Sequence, residues 1–211
     1  MSDARPAFQF ADLRQQEDTA QLGMWVFLGT EVLFFGGLIL AYSVYRSAYP
    51  DGFAEAARHT RILIGTINTA ILLTSSFLVA WAVAIVPRRK AHAATALLGA
   101  AALLGCVFLA LKGLEYRIEY EEGLVPGRHF ALSGSQAASL FFAFYFVATG
   151  LHAVHVAIGV VVLAVIGMKT RRRAYSERYH APVTVAGLYW HFVDLVWVVL
   201  FALIYLPGRS S

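Results

Sequence analysis

The sequence predicts an all-α integral membrane protein, a bundle of five transmembrane helices. Three observations predict it. Hydrophobic residues make up 59% of the 211 residues, above the roughly 45–50% apolar content of ordinary soluble domains. The mean hydropathy is +0.63. The apolar residues gather in five runs, each near the roughly 20 residues that one bilayer crossing requires. Together the runs take up most of the chain, which reads as a cytoplasmic N-terminal segment, 1–21, followed by a single membrane domain over 22–207.

Residues 1–21 carry Asp3, Asp12, Glu17 and Asp18 against Arg5 and Arg14, without the basic stretch and short apolar core of a cleaved signal peptide. The first span is expected over about 22–46, with Glu31 inside it, before a turn at Tyr49-Pro50-Asp51-Gly52. The second, about 62–86, holds Thr66, Asn68, Thr69, Thr74, Ser75 and Ser76, small polar side chains suited to bonding across helices. The third, about 92–114, is rich in Ala, Leu and Gly, and the small pairs Ala96/Ala100 and Ala101/Gly105 permit close helix approach. A polar connection follows from Lys112 to Ser135, with Glu115, Glu119, Glu121 and Glu122. The fourth span, about 136–168, exceeds one crossing and so must tilt or project. The fifth runs over about 182–206, from Pro182 to the stop at Pro207-Gly208.

The net charge of +4 sits in short connections beside apolar runs, a topology signal rather than a nucleic-acid footprint. No nucleic-acid partner is expected. Ten Lys and Arg fall on the N-terminal side and seven on the other, which places the N-terminus in the cytoplasm and the C-terminus outside. One cysteine, Cys106, excludes an intrachain disulfide, a cysteine-held iron–sulfur cluster and a c-type haem attachment.

The informative residues are the polar ones at bilayer depth, where a charge costs at least roughly a few kcal/mol. Glu31 lies roughly 13 Å along the helix axis from the start of its span. It is either a proton-exchanging acid or a carboxyl bonded to a neighbouring helix. His152 and His155 share a helix face at i, i+3. They could ligate haem iron or pack through hydrogen bonds, and the packing reading is preferred. His191 and Asp194 repeat the spacing on the last helix and form a candidate pair, as easily structural as supporting a ligand. Arg178 and His180 stand just before that helix, at headgroup level, as lipid-phosphate candidates.

Five stretches in order carry a resemblance: Gly23 to Phe35 (GMWVFLGTEVLFF), Ile67 to Ser76 (INTAILLTSS), Leu114-Glu115-Tyr116, Phe146 to Gly159 (FVATGLHAVHVAIG) and Tyr189 to Trp197 (YWHFVDLVW). The chain resembles subunit III of the haem–copper oxidases, the cytochrome c oxidase subunit 3 family, in a five-helix form. The resemblance implies a non-redox subunit of a proton-translocating terminal oxidase. It carries no catalytic residue, metal or cofactor of its own, while haem and copper reside in partner subunits. Glu31 matches the family's buried carboxylate, His152 and His155 its paired histidines, and His191 and Asp194 its final-helix pair. The implied partners are the haem-bearing subunit I, a subunit II with a copper or quinol site, and phospholipid. Longer members have seven helices, and this chain begins where their third would stand, so a further small helical subunit is also expected. The implied role is to hold lipid and to support proton uptake and turnover stability, in a bacterial cytoplasmic membrane. Alternatives are a component of a quinol oxidase or nitric oxide reductase system, a self-contained b-type cytochrome using His152, His155 and His191, and a proton-coupled carrier using Glu31 and Asp194.

Overall fold

The computed structural model describes residues 8–88, 90–127, 130–132, 134–172, 175, 180–207 and 209. Its elements are six helices: α1 Leu13–Ala48, α2 Pro50–Arg58, α3 Ile62–Ile85, α4 Ala91–Glu121, α5 Gln136–Arg171 and α6 Ala181–Tyr205. All except α2 are long and apolar enough to cross a membrane.

Helix α1 begins well before its apolar run because Asp12 caps it, its carboxylate accepting from the Gln15 N–H at 2.7 Å. Its 36 residues span roughly 54 Å, so one end projects beyond a hydrocarbon core of about 30 Å. The predicted turn at Tyr49 to Gly52 is instead the start of α2. Pro50 occupies the first helical turn, where its missing N–H costs nothing and its fixed φ suits a helix. The helix buries Phe53, Ala56 and Ala57, and Phe53 meets Tyr42 and Phe141 edge-on at 5.5 and 5.7 Å. Gly52 is required there, since a Cβ would lie 2.5 Å from the Ala137 Cβ.

Helix α4 does not end near residue 114. It continues to Glu121 and carries Lys112, Glu115 and Glu119 inside the bundle. The chain turns afterwards through Gly123, whose φ of 71° belongs to the left-handed region that favours glycine.

Helices α3, α4, α5 and α6 close a ring in that order, α3 packing on α4 and α6, and α5 packing on the same two. Helix α1 lies outside the ring against α5 and α6, and α2 rests on α5. Along α1 only Leu28, Phe35 and Tyr42 are buried, seven residues apart. That spacing is one narrow seam on a helix. Inside the ring, Trp190 fits between α4 and α5 because Gly105 and Gly159 lack side chains. A Cβ would lie 2.8 Å from the indole at Gly105 and 2.7 Å from it at Gly159. Of the two small pairs on α4, Ala101 and Gly105 face the ring, Ala101 accepting from the Ser75 hydroxyl at 3.0 Å. Ala96 and Ala100 face outward.

Candidate functional site

Glu31 and His155 meet between α1 and α5. The His155 Nε2 lies 3.1 Å from a Glu31 carboxyl oxygen, with each side chain about one-sixth exposed. The Phe35 ring stands edge-on to the imidazole at 5.2 Å. The other ring nitrogen, Nδ1, is 2.8 Å from the Leu151 carbonyl. A carbonyl only accepts, so Nδ1 carries a hydrogen. A hydrogen bond between Nε2 and Glu31 then needs one further proton between them. It sits on the carboxyl beside a neutral imidazole, or on an imidazolium beside a carboxylate. Both arrangements have no net charge, which suits a site at bilayer depth. The Tyr189 hydroxyl donates to the His155 carbonyl at 3.0 Å and brings α6 into the joint.

The two histidines of α5 do not form one site. His152 is fully buried and points into the ring, stacked on Trp197 at 5.2 Å with Phe108 edge-on at 5.6 Å. His155 spends both nitrogens on Leu151 and Glu31 and has none left for a metal. Among the described residues no three His, Cys, Asp or Glu side chains gather as metal ligands.

On α6, His191 and Asp194 turn apart. His191 is half-buried at the edge facing α3, where its Nδ1 lies 2.6 Å from the Ser76 hydroxyl. Asp194 is buried, near Ser76 but with neither oxygen in hydrogen-bond geometry. No hydrogen bond joins the two residues. A spacing of three leaves about 60° of rotation between side chains, enough for one to face the helix edge and the other the interior. Trp197 adds a second polar link to α3, its indole N–H donating to Thr69 at 3.0 Å.

The largest polar cluster lies where sequence reasoning placed a connection. The Lys112 ammonium is fully enclosed and donates to Glu115 at 3.0 Å, to the Tyr145 hydroxyl at 2.8 Å and to the Tyr205 hydroxyl at 2.7 Å. The Tyr205 hydroxyl donates to the second Glu115 oxygen at 2.8 Å. Three donors meet three acceptors, so the ammonium is saturated. The cluster ties α4, α5 and α6 at one level, with Glu119 enclosed one turn beyond. Burial at Phe108, Lys112, Glu115 and Glu119 recurs every three or four residues. This helical period was the available signal.

Of the headgroup candidates, Arg178 lies outside the described residues. His180 precedes α6, and its backbone N–H reaches the Glu17 carboxylate of α1 at 3.4 Å.

The family model for cytochrome c oxidase subunit III matches residues 7–209. Among curated relatives, cytochrome c oxidase subunit 3 of Synechocystis is 33% identical over 190 residues, covering 90% of this chain and 76% of the relative. The subunit 3 of Thermostichus vulcanus is 32% identical, covering 92% and 90%. That of Arabidopsis thaliana is 34% identical, covering 88% and 68%. With a match running nearly from end to end over the helices described above, the chain belongs to the cytochrome c oxidase subunit III family.

Proposed function

We propose that this chain acts within its oxidase as a non-redox helical subunit. In this reading it seats on the haem-bearing subunit I, holds phospholipid, and sustains proton uptake and turnover while electrons pass through other chains. The chain is a multi-pass subunit III of cytochrome c oxidase, and it associates with the other oxidase subunits.

The observation that supports the reading is where the intramembrane polar groups are directed. Glu31 goes to His155, Ser76 to His191, Lys112 to Glu115 and two tyrosines. The Glu31–His155, Ser76–His191 and Lys112–tyrosine bonds each tie one helix of this chain to another, as expected of a scaffold, while the Lys112–Glu115 pair lies within α4. The b-type cytochrome reading requires free imidazoles open to a haem on facing helices; His155 has no nitrogen to offer, and the His152 ring is fully enclosed against Trp197 and Phe108. The carrier reading requires acids free to exchange protons with a substrate, whereas Glu31 is held by His155 and Asp194 is enclosed.

In this proposal the membrane is a bacterial cytoplasmic one with the N-terminus inside, residues 22–207 form one membrane domain, and a small helical subunit completes the complex. The deciding experiment removes the chain from the purified oxidase. The haem spectra should not change, and activity should decay progressively during turnover. A Soret band in the isolated chain that vanishes in His152→Ala would overturn the reading in favour of the cytochrome. Proton movement driven by a substrate in proteoliposomes holding this chain alone would overturn it in favour of the carrier.

A further inference from the structure

The end of the bundle that carries α2 holds a cavity of about 610 Å³ between the end of α2, the start of α3 and the segment after α6. Three arginines from three elements line it: Arg58 in the last turn of α2, Arg61 before the first turn of α3, and Arg209 beyond α6. One carboxylate, Glu122 after α4, opposes them and pairs with Arg61. Arg209 is fixed by its backbone contacts. Its Nη2 donates to the carbonyls of Ala57, Arg58 and Thr60 at 3.4, 3.2 and 2.5 Å.

A guanidinium has five N–H donors in a planar fork. Among the described residues, Arg209 and Arg61 hydrogen-bond through Nη2 alone, so their remaining donors are available to an anion. The first turn of α3 has no side-chain cap, and its amides add the positive end of the helix dipole. The apolar run starts at the rim: Leu63 is 74% exposed, and Ile67, one turn further on the same face, is 49% exposed. An anion-binding fork directly above exposed hydrocarbon fits an amphiphilic anion better than a soluble one. An acidic protein segment would satisfy the arginines but has no use for the apolar strip below.

We propose that this cavity binds the phosphodiester of an anionic phospholipid, with its acyl chains lying along Leu63 and Ile67. The site is at the opposite end of the bundle from His180, since Arg209 and Thr60 share its end and α6 runs away from it.

The test uses the intact oxidase in detergent with a photoreactive phosphatidylglycerol, and maps adducts by peptide mass spectrometry. Labelling should fall on the first two turns of α3. Unlabelled phosphatidylglycerol should compete, phosphatidylcholine and millimolar inorganic phosphate should not. Arg61→Gln should weaken labelling about tenfold by removing a charge-assisted contact. Glu122→Gln should strengthen it, because the competing carboxylate is gone while all three arginines stay. That opposite sign separates the site from a folding defect. Four results would overturn the proposal: equal competition by phosphatidylcholine, competition by inorganic phosphate, no response to either substitution, or a protein segment crosslinked at Leu63 in place of lipid.

Discussion

One proton joins Glu31 to His155, between helices whose contact residues lie 124 apart in sequence. The bond is the polar part of a seam that is otherwise Leu28, Phe35 and Tyr42. Glu31→Gln keeps the shape and replaces the carboxyl by an amide whose NH2 still donates to Nε2, so α1 should remain seated. His155→Ala leaves Glu31 without a partner and should cost about 1–3 kcal/mol of stability. Thermal melting of the purified oxidase, read on subunit III release, checks both. A larger loss for Glu31→Gln than for His155→Ala would contradict the single-proton assignment.

A hydrophobic carbodiimide attacks protonated carboxyls in apolar surroundings, and Glu31 is the intramembrane carboxyl with partial access. Peptide mapping should find its adduct on Glu31 and none on Glu115, which is fully buried and bonded to Lys112 and Tyr205. Equal labelling of the two would show that access does not follow the structure.

Lys112→Met leaves Glu115 enclosed with one tyrosine hydroxyl and no counter-charge. Removing one partner of a buried ion pair costs roughly 3–5 kcal/mol, whereas replacing both is often close to neutral. Lys112→Met should therefore reduce the subunit III recovered with the oxidase, and the Lys112→Met, Glu115→Gln double variant should restore most of it. A double variant as poor as the single one would mean that the charge pair has a role outside stability.

Gly159→Ala pushes a methyl to 2.7 Å from Trp190, in a region closed on the other side by Gly105. Overpacking of this kind costs about 1–3 kcal/mol. Gly99→Ala, with nothing within 4 Å of its Cβ, should be neutral in the same melting assay.

Asp194→Leu separates a role in this chain from a role toward a neighbour. Among the described residues its carboxyl has no partner in hydrogen-bond geometry, Ser76 being the nearby hydroxyl, so an apolar replacement of similar size should leave the fold as stable or more so. If assembly or turnover of the oxidase falls while the chain's own melting holds, Asp194 serves a partner. A drop in melting temperature would instead show that the carboxyl supports the bundle directly.

The long helices were legible because a bilayer crossing demands an apolar run that needs no tertiary context. Helix α2 was not, since nine residues with Pro50 and Gly52 read equally as a turn, and its apolar face is defined only by Tyr42 and Phe141. Lys112, Glu115 and Glu119 look like solvent-facing residues until Tyr145 and Tyr205 arrive from helices far along the chain. The chemistry of Glu31 could be read from its depth, but its partner could not, because several neighbours had suitable side chains. For His191 and Asp194 the spacing allowed a pair. The rotation of α6 within the ring, a non-local property, decided otherwise.

The position of α1 outside the ring has a consequence in time. Its carboxyl and its Tyr42 hydroxyl find their partners at His155 and at the Leu203 carbonyl. Synthesis proceeds at about 5–20 residues per second, so Glu31 precedes His155 by roughly 6–25 s. For that interval the first helix stands in lipid with an unmatched acid. A nascent chain arrested before α5 would leave that acid without its histidine, and a completed one pairs it.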